Sequence, residues 1–129
     1  MDSSRNAADG ETLLVRGARR VVAESGVITS GSLLCSGGRV AEVFADSAPA
    51  VADRVVDASG LTVLPGFLDV HIHGGGGADT MDATPDALRA ILRMHAAHGT
   101  TGLLLTTMTQ SRERIDAALA CAAGAVGQG

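Results

Sequence analysis

An α/β fold is predicted for this chain, and three observations predict it. Between Thr12 and Leu64 short β-textured runs alternate with turn signals. After Pro65 the texture changes to strand, helix, strand, helix, the spacing of βαβα units on a parallel sheet. The apolar content is 46% but aromatics are only 2%, so the core has to be built from Ala, Val and Leu packed closely across several elements.

In chain order, residues 1–10 read as a disordered lead-in. Residues 11–64 carry the runs "TLLVRGARRVV", "GSLLCSGGRVAEVF" and "DRVVDASGLTVLPG", which suggest part of a small β-sandwich or a sheet layer, mostly antiparallel. Ser36-Gly37-Gly38-Arg39 fits a tight hairpin turn, because glycine accepts positive φ. Residues 65–129 hold the alternating elements. "FLDVHIH" has strand length, and "TTGLLLTTM" is a second buried-strand candidate. The helix between them is well marked. Thr84 can cap it, Pro85 suits its first position, Asp86 suits its positive start and Gly99 can end it. Its apolar face holds Leu88, Ile91, Leu92 and His95. A second helix starts at Ser111, with Ile115, Leu119 and Ala122 as its stripe. Two βα units leave a parallel sheet with uncovered edges and faces.

Composition excludes several function classes. The net charge is −4 and there is no basic stripe, so no nucleic-acid partner is expected. No run reaches the roughly 18 apolar residues of a membrane span, and the polar start "MDSSRNAADGET" is not a signal peptide, so a cytoplasmic setting is expected. Cys35 and Cys121 lie far apart, outside any CxxC or zinc-ribbon spacing, and read as reduced thiols.

The chemistry-bearing stretch is "PGFLDVHIHGGGGADTMD", Pro65 to Asp82. On a strand, Phe67, Asp69, His71 and His73 share one side, and Leu68, Val70 and Ile72 share the other, where they suit packing under helices. Two imidazoles on one face can reach a single zinc-type ion; strand histidines facing water or bonded to backbone are the alternative. The C-terminal end of a parallel strand in a barrel is where active sites are built. Asp69 can orient a ligand or serve structurally, the latter being favoured. Gly74 to Gly77 can cradle a phosphate through exposed amides or form a plain turn. His95 and His98 read as ordinary helix residues.

A β-layer with "SGGRVAEVF" and then "VVDASGLTVLPGFLDVHIHG" resembles the opening of the amidohydrolase superfamily. More narrowly, "PGFLDVHIHGGGGADTMDATPDAL" followed by "HGTTGLLLTTMTQSRERI" is similar to the N-acetylglucosamine-6-phosphate deacetylase family, across roughly residues 12–124. The resemblance implies a metal-dependent (β/α)8 barrel flanked by a β-sandwich built from both ends of the polypeptide. It implies that His71 and His73 help hold one divalent metal, zinc or iron, and that the substrate is a small amino-sugar phosphate from which acetate is released. It also suggests a homodimer for the full-length protein. The family's later glutamate ligand, two further histidines and catalytic aspartate have no counterparts here, and no catalytic residue is assigned. A whole barrel takes roughly 250 residues, and about 65 follow Leu64. The expectation is therefore an N-terminal fragment, the first two βα units preceded by the front of the sandwich and inactive alone. Two other readings stay open: another amidohydrolase, dihydroorotase-like or deaminase-like, and a non-catalytic remnant that needs a partner chain.

Overall fold

The computed structural model describes residues 10–24, 26–45 and 51–126. Of the expected lead-in at 1–10, residues 1–9 lie outside the described residues. The chain divides into two compact units, Met1–Pro65 and Gly66–Gly129.

Unit 1 is one mixed sheet. The long strand β1 (Thr12–Ala23) pairs antiparallel with β2 (Gly26–Ser36), which pairs antiparallel with β3 (Arg39–Ala45). The β2–β3 turn is made by Gly37 at φ 55° and Gly38 at φ 74°, as the Ser-Gly-Gly-Arg run predicts. The other edge of β1 takes β4 (Arg54–Asp57) along its first half and β5 (Thr62–Val63) along its second, both parallel. The pairing is mostly antiparallel, as expected, with β4 and β5 as short parallel additions. The reason for these additions is topological: β1 uses one edge for its hairpin partner, and the chain returning after β3 reaches the free edge running in the same direction as β1.

A bulge between Val15 and Ala18 bends β1 where the partner changes from β4 to β5. Gly17 takes φ 72° there, and its amide donates to the Oγ of Ser32 at 3.1 Å. That bond satisfies a fully buried serine, which would otherwise be costly to bury. Ser59 donates its amide and hydroxyl to Asp57, and these bonds hold the Asp57 carboxyl below its ordinary value. The core is small: Ala18, Val21 and Ala58 form a buried cluster with Val15, Leu33, Val43 and Val63 packed partly against it, and Leu14 is buried as well. An open apolar groove of about 770 Å³ runs along Val22, Leu33, Val40, Val43, Val63 and Leu64.

Unit 2 is built on the parallel pair β6 (Phe67–Ile72) and β9 (Thr100–Leu105). Between them lie a miniature hairpin, β7 (Gly74–Gly75) and β8 (Ala78–Asp79), a 3-10 turn at Thr80–Asp82, and helix α1 (Pro85–Ala97). Helix α2 (Arg112–Ala123) follows β9. The caps are those expected. Thr84 accepts from the Ala87 amide, Ser111 accepts from the Arg114 amide, and Gly99 takes φ 91° past the end of α1.

The helices bury less than their apolar patterns predict. On α1 the covered residues are Ala87, Leu88 and Ile91, while Leu92 stays exposed. On α2 only Ala118 is fully covered, Ile115 and Ala122 are half-buried, and Leu119 is exposed. Leu92, Leu104 and Leu119 instead line an open groove of about 360 Å³. Leu68 and Val70, expected beneath helices, are 75% and 70% exposed. Two strands give α1 and α2 too little sheet to lie on, so only the centre of each stripe finds a partner. Ile72, Leu88 and Ile91 form the buried cluster. Among the described residues no helix is long and apolar enough to cross a membrane.

Candidate metal-binding strand end

β6 ends on the histidine pair. Strand alternation puts both rings on one side, with the ring centroids 5.0 Å apart and the planes at 79°. Their Nε2 atoms lie 3.2 Å from each other. Two nitrogens that each sit about 2.0–2.1 Å from a common ion, at an angle of about 90–110°, are separated by about 2.8–3.4 Å. The observed spacing therefore suits a shared ion as well as a hydrogen bond between two neutral rings. Nδ1 of His73 is buried and bonded to nothing, so no partner on that side of the ring selects its tautomer. The donor set thus fits one pair within a larger shell. Among the described residues no group of three His, Cys, Asp or Glu is placed to hold an ion.

The backbone around the pair is pinned by side chains. Register between β6 and β9 is irregular from Asp69 to Ile72. Through that stretch the His71 amide donates to Asp69 Oδ1 at 3.1 Å and the Ile72 amide donates to Thr106 Oγ1 at 3.2 Å. The Thr106 amide donates in turn to the Ile72 carbonyl at 2.7 Å. Asp69 thus braces the backbone of His71, a contact compatible with both roles open to it from sequence. Thr106 was not singled out by sequence; its position at the same end of the neighbouring parallel strand is the signal that points to it.

The glycine run that follows is a tight hairpin. Gly76 and Gly77 take φ 64° and 83°, and Gly74-Gly75 pairs with Ala78-Asp79. A Cβ on Gly74 would lie 2.2 Å from the Ala78 carbonyl oxygen, and one on Gly75 would lie 2.8 Å from His95 Nε2. Close approach of the backbone to itself and to α1 is what calls for glycine here. His95 Nε2 donates to the Gly74 carbonyl at 3.3 Å, so this helix residue also buttresses the turn after His73. His98 instead donates from Nδ1 to the Met94 carbonyl of its own helix, at 2.7 Å. Asp79 and Asp82 are engaged in a capping box: Asp79 accepts from the Met81 amide at 2.7 Å, and Asp82 accepts from the Asp79 amide at 2.8 Å. The Thr80 amide closes the loop onto the His73 carbonyl at 2.7 Å.

Gly74→Ala is expected to destabilise unit 2 by about 1–3 kcal/mol, the usual cost of overpacking. Gly77→Ala, with open space around its Cβ but φ 83°, is expected to cost about 1–2 kcal/mol through backbone conformation alone. Urea denaturation of both variants checks this. A Gly74→Ala protein as stable as wild type would mean that the hairpin is not packed as described.

The amidohydrolase family profile matches residues 54–123. N-acetylglucosamine-6-phosphate deacetylase from Bacillus subtilis (strain 168) is 36% identical over 110 residues, covering 84% of this chain and 28% of that protein. The enzyme of the same name from Lysinibacillus sphaericus is 40% identical over 81 residues, covering 63% of this chain and 21% of that protein. Among solved structures, a mutant N-acetyl-D-glucosamine-6-phosphate deacetylase from Mycobacterium smegmatis, in complex with N-acetyl-D-glucosamine-6-phosphate, superposes with a TM-score of 0.80 at 35% identity. That match covers 93% of this chain and 31% of the solved one. The chain thus spans under a third of the length of these relatives.

Proposed function

The chain belongs to the amidohydrolase family, and from that premise we propose that it carries the first metal-ligand pair of a metal-dependent deacetylase acting on N-acetylglucosamine 6-phosphate. In this reading unit 2 is the first two βα units of a (β/α)8 barrel and unit 1 is part of its flanking β-sandwich. His71 and His73 are two of the metal ligands, and the setting is the cytoplasm. The observation that carries the reading is the 3.2 Å Nε2 pair at a strand end, within a segment similar to deacetylases that bear this name.

A divalent ion bound there, zinc or iron, supplies polarisation of the substrate's amide carbonyl and activation of water near neutral pH. The chain's own residues supply placement. β6 delivers both imidazoles to one side of its C-terminal end. Asp69 and Thr106 hold the backbone between and beside them, and the glycine hairpin packs the following turn against itself and α1.

The reading is tested with a chimera in which this chain replaces the matching segment of the Bacillus subtilis enzyme. With zinc or iron added, the folded chimera is expected to release acetate from N-acetylglucosamine 6-phosphate. His71→Ala is expected to lower that rate more than about a hundredfold, beyond the usual 10–100-fold effect of residues that merely support a metal site. A folded but inert chimera, or an active one indifferent to His71→Ala, would overturn the proposal.

A further inference from the structure

We propose that Thr106 is a positioning residue for the His71–His73 pair, acting through the backbone of Ile72; the inference rests on the reading of that pair as metal ligands. Ile72 lies between the two histidines, so any twist of its peptide groups swings the rings relative to each other. In a regular parallel ladder a neighbouring carbonyl would receive its amide. Ile72 pairs with Leu105 just past the register shift that follows Asp69, and the Thr106 hydroxyl, which donates to the Leu104 carbonyl at 3.5 Å, adds a side-chain acceptor for the Ile72 amide at 3.2 Å. The same residue returns its own amide to the Ile72 carbonyl at 2.7 Å. That amide hydrogen bond belongs to the ladder and any residue at 106 could make it, so the threonine's own contribution is the hydroxyl on the Ile72 amide. Ile72 is only 6% exposed, so water does not readily replace the hydroxyl. The Asp69 carboxylate does the same for the His71 amide from within β6. Irregularities of this kind beside functional sites re-aim side chains that a straight strand would misplace. In this structure they accompany the 3.2 Å spacing of the two Nε2 atoms.

Thr106→Val removes the acceptor at nearly constant shape, and Thr106→Ser keeps it. Two measurements on the 129-residue chain separate this inference from the metal reading. The first is zinc titration. Thr106→Val is expected to weaken zinc binding about 10–100-fold, the range for residues that support metal ligands, with Thr106→Ser within about twofold of wild type. The second is the 15N signals of the two imidazoles without metal. Thr106→Val should shift them, and Thr106→Ser should restore them, an effect that loss of stability alone would not produce in a folded protein. If Thr106→Val does not fold, Thr106→Ala is read in the same two ways. Wild-type zinc binding no stronger than that of His71→Ala would sink the metal reading, and the imidazole signals then decide the positioning role on their own. Valine or alanine at 106 leaving both imidazole signals unmoved would overturn it.

Discussion

Purified and supplied with zinc or iron, the 129-residue chain is expected to release acetate from N-acetylglucosamine 6-phosphate no faster than buffer with metal alone. Catalytic zinc sites use three protein ligands plus an open position. This chain offers two imidazoles and, among the described residues, no group of three that could hold an ion. The carboxylates near the pair are already engaged: Asp69 with the His71 amide, Asp79 and Asp82 with each other's turn. Among the described residues, the carboxylates beside the pair are thus tied to backbone amides of their own loops. His71 is exposed, so an ion held there stays hydrated and loses the advantage of a dry, preorganised site. Activity in the chimera but not in the chain alone is the expected pair of results. Acetate release by the chain alone, metal-dependent and abolished by His71→Ala, would mean that two histidines and this short scaffold suffice. The account of an incomplete site would then fail.

Ile91→Ala is expected to cost about 2–5 kcal/mol, the range for emptying a fully packed aliphatic site. Ile91 is 0% exposed and joins Leu88 and Ile72 in the cluster that ties α1 to β6. Few other large side chains in unit 2 are fully covered, so the loss is a large share of what holds that unit together. Urea unfolding followed by helical circular dichroism should show the midpoint fall sharply. Amide signals from Thr12–Ala23, in the other unit, should stay in place. A loss below about 1 kcal/mol would mean that the site collapses around the cavity or that Ile91 is less tightly packed than described. Because Ile72 belongs to this cluster and lies between the two histidines, the same variant should also broaden the imidazole signals.

The local features of this chain were legible from its residues. The common side of His71 and His73 follows from a two-residue period. The Gly37-Gly38 turn follows from glycine's access to positive φ, and the caps at Thr84 and Ser111 follow from hydroxyls that can accept from free helix amides. Each depends on bonds within a few residues, so the neighbouring sequence contains all the information needed. The family was legible for the same reason, since its signature is one contiguous stretch around the histidine pair.

What needed the tertiary structure depends on which distant segment arrives alongside. Parallel pairing of β4 and β5 with β1 is a choice of edge, and no local pattern encodes it. Leu68, Val70, Leu92 and Leu119 carry the right periodicity to be buried, yet stay exposed because two strands and two helices give them nothing to pack against. The glycine run read equally well as an anion cradle or a turn. Only the approach of Ala78 and of His95 on α1 makes it a hairpin with no room for a Cβ. Thr106 looks like any strand-end threonine until the pairing of β6 with β9 brings its hydroxyl to the Ile72 amide, 34 residues away in sequence. Period and capping are properties of the chain's own geometry. Burial and positioning are properties of its neighbours, which folding supplies and the local sequence does not state.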